Sequence, residues 1–255
     1  MVLVRDITMW NPFLLTKKYR KWVVFFWSLA PWCMLYFGLH YFHSIVWSFA
    51  LYHGGCLIPA IVLNRSHWIK HLERPKARDL MWWALAVVGF STFTYVTYYM
   101  LGNLLVDRRL ALISILERGF HFSWFLPLSI YFLTINPILE EFFWRGVVLN
   151  ELCDKDEHLW SPSCIWTNFA FSAWHFLVIK LFVSPPFVPV AVIVVLSVGF
   201  FMSWMYRRKN TLVLPVLWHS MVFDLAVIII LAMVLYAPVL GAAEADLRPL
   251  LDKLQ

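Results

Sequence analysis

The stretch "TINPILEEFFWRGVV", residues 134–148, places two adjacent carboxylates and an arginine inside a strongly apolar run. It begins with Asn136 and a proline, which is typical of a helix start because asparagine caps well and proline is favoured at the first helical position. In the helix that follows, Glu141 and Arg145 share a face and are expected to pair. Glu140 is rotated away from them. The stretch therefore predicts one neutralised carboxylate and one that is free to point elsewhere.

The composition around this stretch is that of a membrane protein. The chain has 255 residues, of which 62% are hydrophobic and only 14% charged, and its mean hydropathy is +0.71. A bilayer core requires about 20 apolar residues per helix. We predict an all-α, polytopic integral membrane helix bundle with about seven spans, within a range of six to eight. The candidate spans are 22–41, 44–63, 80–101, 122–143, 163–183, 187–206 and 211–237.

The basic residues predict the orientation of the bundle. They gather before the first span, after the second span and after the sixth, so that a hairpin topology brings all three groups to one face. The positive-inside rule makes that face, and the N-terminus, cytoplasmic, and a bacterial cytoplasmic membrane is the expected location. The net charge of +6 is then topological, and nucleic acid is not expected as a partner. The groups are Arg5, Lys17, Lys18, Arg20 and Lys21, then Arg65, Lys70, Arg74, Lys76 and Arg78, then Arg207 to Lys209.

The chain divides at the basic loop that ends at residue 79. Residues 1–79 form an N-terminal basic segment, a transmembrane hairpin and that loop. Residues 80–241 form the helical bundle that carries most of the polar residues, and residues 242–255 form a short tail. The cysteines, Cys33, Cys56, Cys153 and Cys164, show no CxxC spacing, so they predict neither a disulfide framework nor a zinc site.

Two further apolar stretches carry ionisable residues. "TNFAFSAWHFLVIK" contains His175, and "LPVLWHSMVFDLAV" contains His219 and Asp224. A charged group at the centre of a membrane helix costs at least about 2.5–3.5 kcal/mol on insertion scales. Three segments that each bring an acid or a histidine predict a buried reaction site. Water held between Glu140 and a histidine would be activated for attack on a carbonyl. A salt-bridged cluster at the membrane boundary is the alternative for the Glu140 stretch.

The motifs resemble those of the CPBP family, the CAAX proteases and bacteriocin-processing enzymes, also called Abi proteins. "EEFFWR" fits EExxxR, "FSAWH" fits FxxxH and "HSMVFD" approximates the last motif; the family-like core covers about 122–237. The resemblance implies a glutamate-type intramembrane endopeptidase without a cofactor or metal, acting on a membrane protein or a lipidated peptide.

By this resemblance Glu140 activates water and His175 helps to hold it. Glu141 and Arg145 form a supporting pair, and His219 helps to form the oxyanion hole. The family usually has Asn or Asp four residues after the last histidine, but here Asp224 follows at the fifth position. On a regular α-helix the fifth position is turned about 100° farther round. Either the helix is locally distorted, as in a π-bulge, or Asp224 has another role.

Other functions fit the same residues. Glu140, Glu141, His175 and His219 are possible zinc ligands, although there is no HExxH motif. Ser172 and Ser220 flank the histidines and could act as nucleophiles, but no GxSxG elbow accompanies them. A transporter would use buried carboxylates too, yet the sequence has no inverted repeat. A non-catalytic membrane scaffold of the same fold is the remaining alternative.

Overall fold

The computed structural model describes residues 17–236 and 252–253. Over these residues the chain is helical, and its β-structure is limited to an isolated bridge between Val106 and Val183. Six helices, here numbered spans 1 to 6, are long and apolar enough to cross a membrane. They are Tyr19–Tyr41, Ile45–Leu63, Ala77–Leu105, Phe122–Leu152, Pro185–Lys209 and Val213–Tyr236. The predicted all-α membrane bundle is confirmed. Arg5 lies outside the described residues, as does the predicted tail apart from Asp252 and Lys253.

The predicted crossing over 163–183 is not one continuous helix. It forms two short helices, Pro162–Ala173 and His175–Ile179, which we call the split helix. The break has a local cause. The His175 ring bonds to the Phe171 carbonyl at 2.8 Å, which is the acceptor that a regular helix would offer to the backbone N–H of residue 175. His175 therefore lies at the break between the two short helices.

Span 4 begins at residue 122, as predicted, and extends to Leu152. Its Asn-Pro pair does not start a helix. A continuous helix covers Phe125–Glu141 with Pro137 in its interior, so the predicted cap at Asn136 is wrong. Proline has no N–H and leaves the Leu133 carbonyl without its helical donor. The Ser220 hydroxyl of span 6 donates to that carbonyl. A tertiary hydrogen bond thus takes the place of the missing helical one.

Several spans contain π-helical segments in which each turn holds an extra residue. They cover Phe37–Tyr41 in span 1, Ala50–Leu57 in span 2, Phe142–Leu149 in span 4 and His219–Asp224 in span 6. Short π segments are rare and occur frequently at functional sites. The segments in spans 2, 4 and 6 each contain an ionisable residue of the candidate site. These residues are His53 in span 2, Arg145 in span 4, and His219 and Asp224 in span 6.

The main apolar core surrounds the second half of span 4. Phe143 and Trp144 are fully buried there, together with Leu57 of span 2 and Phe171 of the split helix. Span 4 is therefore enclosed by spans 1 and 2 on one side and by the split helix on another. This packing removes the carboxylates of span 4 from lipid.

Shorter elements close the two ends of the bundle. A helical turn, Arg65–Trp68, and a 3₁₀ turn, Ile69–His71, follow span 2, and helix Arg108–Glu117 connects spans 3 and 4. At the end that carries the N-terminal side of span 1, ion pairs join the segments that the basic residues predict to be neighbours. These are Arg20 with Glu151 at 3.2 Å, Lys21 with Asp154 at 3.3 Å and Lys209 with Asp79 at 2.7 Å.

Candidate active site

The predicted pair between Glu141 and Arg145 forms in the interior of the bundle. Arg145 Nη1 lies 2.9 Å from Glu141 Oε1, and both side chains are at most 1% exposed. Arg145 Nη2 also donates to the Gly199 carbonyl of span 5 at 3.1 Å, and the guanidinium lies 4.4 Å from the centre of the Phe171 ring. Buried charges of this kind require partners on every side. The arginine is therefore fixed by three different segments.

His219 of span 6 lies between the carboxylates. Its Nδ1 is 2.7 Å from Glu141 Oε1, while its Nε2 is 3.5 Å from Asp224 Oδ1 and 3.8 Å from Glu140 Oε2. The ring thus has acidic groups at both nitrogens. An imidazolium in this place would direct one N–H to Glu141 and the other to the space between Glu140 and Asp224.

Asp224 reaches His219 because the helix between them is a π-helix. The segment His219–Asp224 is π-helical, and the N–H of Leu225 donates to the Ser220 carbonyl five residues earlier. A π turn holds one residue more than an α turn, so the fifth position takes the place that the fourth has on an α-helix. The shifted spacing is therefore compensated by a local distortion, which is one of the two explanations that the sequence left open.

Among the described residues, Glu140 is the carboxylate of the two that is not paired with an arginine. It is 2% exposed, and among the described residues its Oε2 has no hydrogen-bond partner. The Tyr52 hydroxyl and the Trp144 indole N–H lie nearby, and both are likewise buried without a hydrogen bond of normal geometry. Buried polar groups usually bind protein or ordered water. This cluster of polar atoms beside Glu140 is therefore suited to holding a water molecule.

His175 approaches the site from the split helix. Its Nδ1 bonds to the Phe171 carbonyl, and its ring stacks on Trp174 with 3.6 Å between ring centres. Among the described residues it has no hydrogen bond to Glu140 or Glu141. The Phe171 ring lies 4.9 Å from the His175 ring and 6.3 Å from the His219 ring. With Nδ1 engaged as a donor, Nε2 is the nitrogen left to accept a proton.

Comparison with known families adds to this geometry. Residues 122–225 match the model of the family described as Type II CAAX prenyl endopeptidase Rce1-like. This match covers less than half of the chain and supports the predicted resemblance to the CAAX protease (CPBP) family. The family match and the six helices long enough to cross a membrane together support a membrane endopeptidase of the CAAX type. No curated protein and no solved structure matches the chain.

A second group of site residues lies partly outside the segment that matches the family. His53 of span 2 accepts or donates at both ring nitrogens, with Tyr131 Oη 2.6 Å from Nδ1 and Asn136 Oδ1 3.2 Å from Nε2. Asn136 Nδ2 in turn donates to Asp224 Oδ2 at 3.3 Å. A chain of polar contacts therefore runs from span 2 through span 4 to the acid that faces His219.

Sequence reasoning missed these residues because it treated the N-terminal hairpin as lacking site residues. The signal was present: "YHGGC" places His53 in the middle of an apolar run, and an ionisable residue in a span is a functional candidate by default. Tyr52 and Tyr131 gave no such signal, because tyrosine is common in membrane spans. Only the three-dimensional arrangement shows that they face the acids.

The geometry bears on the alternative mechanisms. The Ser172 hydroxyl donates to the Phe169 carbonyl, and the Ser220 hydroxyl donates to the Leu133 carbonyl. Neither serine is hydrogen-bonded to a histidine in the described residues, so the arrangement does not favour a serine nucleophile. The 3.5 Å contact between His219 and Asp224 shows that the shifted spacing does not separate these two side chains.

Proposed function

We propose that this protein hydrolyses a peptide bond of a membrane-associated substrate with water activated by Glu140. The observation that carries the proposal is the difference between the two adjacent glutamates. Glu141 is paired with Arg145 at 2.9 Å and with His219 at 2.7 Å, whereas among the described residues Glu140 has no arginine partner and lies 3.8 Å from His219 Nε2. A buried carboxylate that is free of an ion pair with arginine can accept a proton.

The reaction follows from these positions. Glu140 takes a proton from water, and the water oxygen attacks the carbonyl carbon of the scissile bond. The N–H of His219 that points away from Glu141 donates to the oxyanion that forms. Glu140 then returns the proton to the leaving nitrogen as the carbon–nitrogen bond breaks. His175, with its Nε2 available as an acceptor, orients the water.

Asp224 keeps His219 in position and does not itself donate to the oxyanion. An ionised aspartate has no proton to donate, but its charge, 3.5 Å from His219 Nε2, stabilises the imidazolium whose N–H donates to the oxyanion. Its other oxygen accepts from Asn136. This role agrees with its place at the end of the polar chain that begins at His53.

The substrate that we propose to test first is a C-terminal peptide with a prenylated cysteine. This choice rests on the family that residues 122–225 match, whose description includes prenyl endopeptidases. We further propose that residues 80–241 form the catalytic bundle and that the end of the bundle bearing Arg20, Lys21 and Lys209 faces a bacterial cytoplasm. The positive-inside rule supports that orientation, and the ion pairs at this end support a single basic face.

The test is proteolysis in liposomes with a quenched farnesylated CAAX peptide and a panel of transmembrane peptides. Purified wild type is compared with Glu140→Gln and with Glu117→Gln, the same substitution at a glutamate whose side chain is 60% exposed. We expect wild type and Glu117→Gln to cleave, and Glu140→Gln to lose activity while it remains folded. Full activity in Glu140→Gln contradicts the proposed role of this residue. Cleavage of a transmembrane peptide alone would retain the mechanism and replace the substrate.

A chelator separates this mechanism from a metal-dependent one. Activity that survives thorough chelation supports water activation by Glu140 without a catalytic metal. Activity that disappears on chelation and returns with added zinc would favour the zinc alternative, provided that no second metal site explains the loss.

A further inference from the structure

Two of the four cysteines lie together at the end of the bundle that carries Arg20 and Lys21. Cys153 follows span 4, and Cys164 lies in the first turn of the split helix. Glu157 is in the loop between them, and one ligand atom from each of these three residues lies within 4.8 Å of the others. Their spacing, C-x₃-E-x₆-C, is not a familiar zinc motif, which is why the sequence did not predict a metal site here.

The ligand atoms suit a thiophilic divalent cation. Zinc binds thiolate sulfur at about 2.3 Å and carboxylate oxygen at about 2.0–2.2 Å, in a tetrahedral arrangement. Tetrahedral geometry with these bond lengths places two sulfur ligands about 3.8 Å apart. The separations of up to 4.8 Å therefore require only small movements of the side chains. Cys153 is 4% exposed and Cys164 is fully buried, so the site is shielded.

The carboxylate of Glu157 is already oriented. Its Oε2 accepts from the Ser163 hydroxyl at 2.7 Å, from the Ser161 hydroxyl at 3.4 Å and from the Asp154 N–H at 3.1 Å. Hydrogen bonds of this kind orient carboxylates that ligate metals. Oε1 has no hydrogen bond among the described residues, and one oxygen of this carboxylate lies within 4.8 Å of both sulfurs.

The loop and the helix terminus also favour negatively charged ligands. Arg207 of span 5 donates to the backbone carbonyls of Glu157 and Asp154, which fixes the loop. The N–H of Cys164 donates to the Ser161 hydroxyl at the N-terminus of the helix, where the helix dipole favours a thiolate. Because the loop is already fixed, little conformational entropy is lost when a cation binds.

We propose that Cys153, Glu157 and Cys164 bind one zinc ion, with a water molecule as the fourth ligand. Binding breaks two S–H bonds, and the two protons pass to solvent. The site links the end of span 4 to the start of the helix that leads to His175. Its role is structural, because none of its three ligands belongs to the group around Glu140, and the proposal does not depend on the proposed function.

The test measures zinc bound to the full-length protein in detergent. The metal is first removed under reducing conditions and then restored as zinc chloride, and unbound ion is removed by gel filtration. Wild type is compared with Cys153→Ser, Cys164→Ser and Glu157→Gln. The matched controls are Cys33→Ser at an exposed thiol and Cys56→Ser at a buried one. We expect one zinc per chain in wild type and both controls, loss of that zinc in either ligand cysteine variant, and weaker binding in Glu157→Gln.

Two results would overturn the proposal. One is the absence of stoichiometric zinc in wild type; the other is equal zinc in wild type and the Cys153→Ser/Cys164→Ser double variant, which would indicate adventitious binding. If the serine variants do not fold, cobalt(II) added to reduced, metal-free wild type provides the answer. Cobalt(II) bound by thiolates gives a sulfur-to-metal charge-transfer band in the near ultraviolet, which added zinc should remove by displacing the cobalt, and the absence of such a band would refute the site.

Discussion

The buried pair of Glu141 and Arg145 allows a quantitative prediction about stability. Removing one partner of a buried ion pair costs about 3–5 kcal/mol, because the other charge stays behind without compensation. Here both side chains are at most 1% exposed, and Glu141 Oε1 also receives His219 Nδ1 at 2.7 Å. We therefore expect Glu141→Gln to be destabilised by about 3–5 kcal/mol.

The double variant should be less damaging than the sum of the single ones. In Arg145→Met, Glu141 keeps the histidine as a partner, so the loss should lie near the lower end, about 3 kcal/mol. In Glu141→Gln/Arg145→Met no charge of the pair remains, and the glutamine oxygen can still accept from the histidine. Replacing both members of a buried pair by uncharged residues of similar volume is often nearly neutral relative to the intact pair, whereas removing one member is strongly destabilising. We predict a coupling energy of at least about 2 kcal/mol between the two substitutions.

The assay is reversible unfolding in mixed micelles by titration with SDS, followed by tryptophan fluorescence and far-ultraviolet circular dichroism. The same double-mutant cycle at Lys21 and Asp154 is the control, because that pair lies 3.3 Å apart with side chains 31% and 53% exposed. Exposed pairs contribute about 0.2–1 kcal/mol. Additivity within about 0.5 kcal/mol at Glu141 and Arg145, or coupling no larger than in the control, would refute the view that a buried charge dominates this part of the core.

Three further substitutions test the surroundings of the site. Asp224→Asn removes the charge that faces His219 but keeps the size of the side chain, so in the liposome assay we expect kcat to fall at least about tenfold, or about 1.4 kcal/mol, with KM nearly unchanged; a normal kcat contradicts the positioning role. His53→Phe leaves the half-buried Tyr131 hydroxyl and the buried Asn136 Oδ1 without their histidine partner, a loss of about 1–3 kcal/mol, and we expect a lower kcat together with a lower midpoint of SDS unfolding; no change in either would mean that the polar chain is not coupled to the site. In Gly199→Ala the new Cβ would lie 3.1 Å from a ring carbon of Phe171, so we expect about 1–3 kcal/mol of destabilisation from overpacking, whereas Gly89→Ala, where no atom lies within 4 Å of the new Cβ, should show none.

The parts of the structure that follow from composition and helical period could be predicted from the sequence. Hydropathy predicted about seven spans, and six of them are long apolar helices in the structure, because the bilayer demands such helices whatever their neighbours are. The pairing of Glu141 with Arg145 could be predicted as well, since residues four apart on an α-helix are neighbours. The family motifs identified the three segments that meet at the site. Each of these inferences depends on a local rule that the rest of the fold does not override.

The inferences that failed depend on contacts between segments. Asn136 and its proline have the composition of a helix start, but the hydroxyl of Ser220 satisfies the carbonyl that the proline leaves free, so the helix continues through them. The cysteines at 153 and 164 come together only because the loop between them folds back under Arg207. Nothing in the local sequence specifies either contact. Such errors are expected wherever tertiary partners supply what a local rule assumes to be missing.

The π-helical segments explain why the register of the site was the hardest feature to predict. A helical projection of "HSMVFD" with a regular α period turns Asp224 away from His219, yet the structure brings their side chains to 3.5 Å by placing one more residue in the turn. The same distortion occurs at Ala50–Leu57, which carries His53, and at Phe142–Leu149, which carries Arg145. A π turn gives up regular helical hydrogen bonding, so it persists where contacts with other segments compensate for it. In three spans those contacts include the polar bonds of one buried cluster, which indicates that the distortions and the site depend on each other.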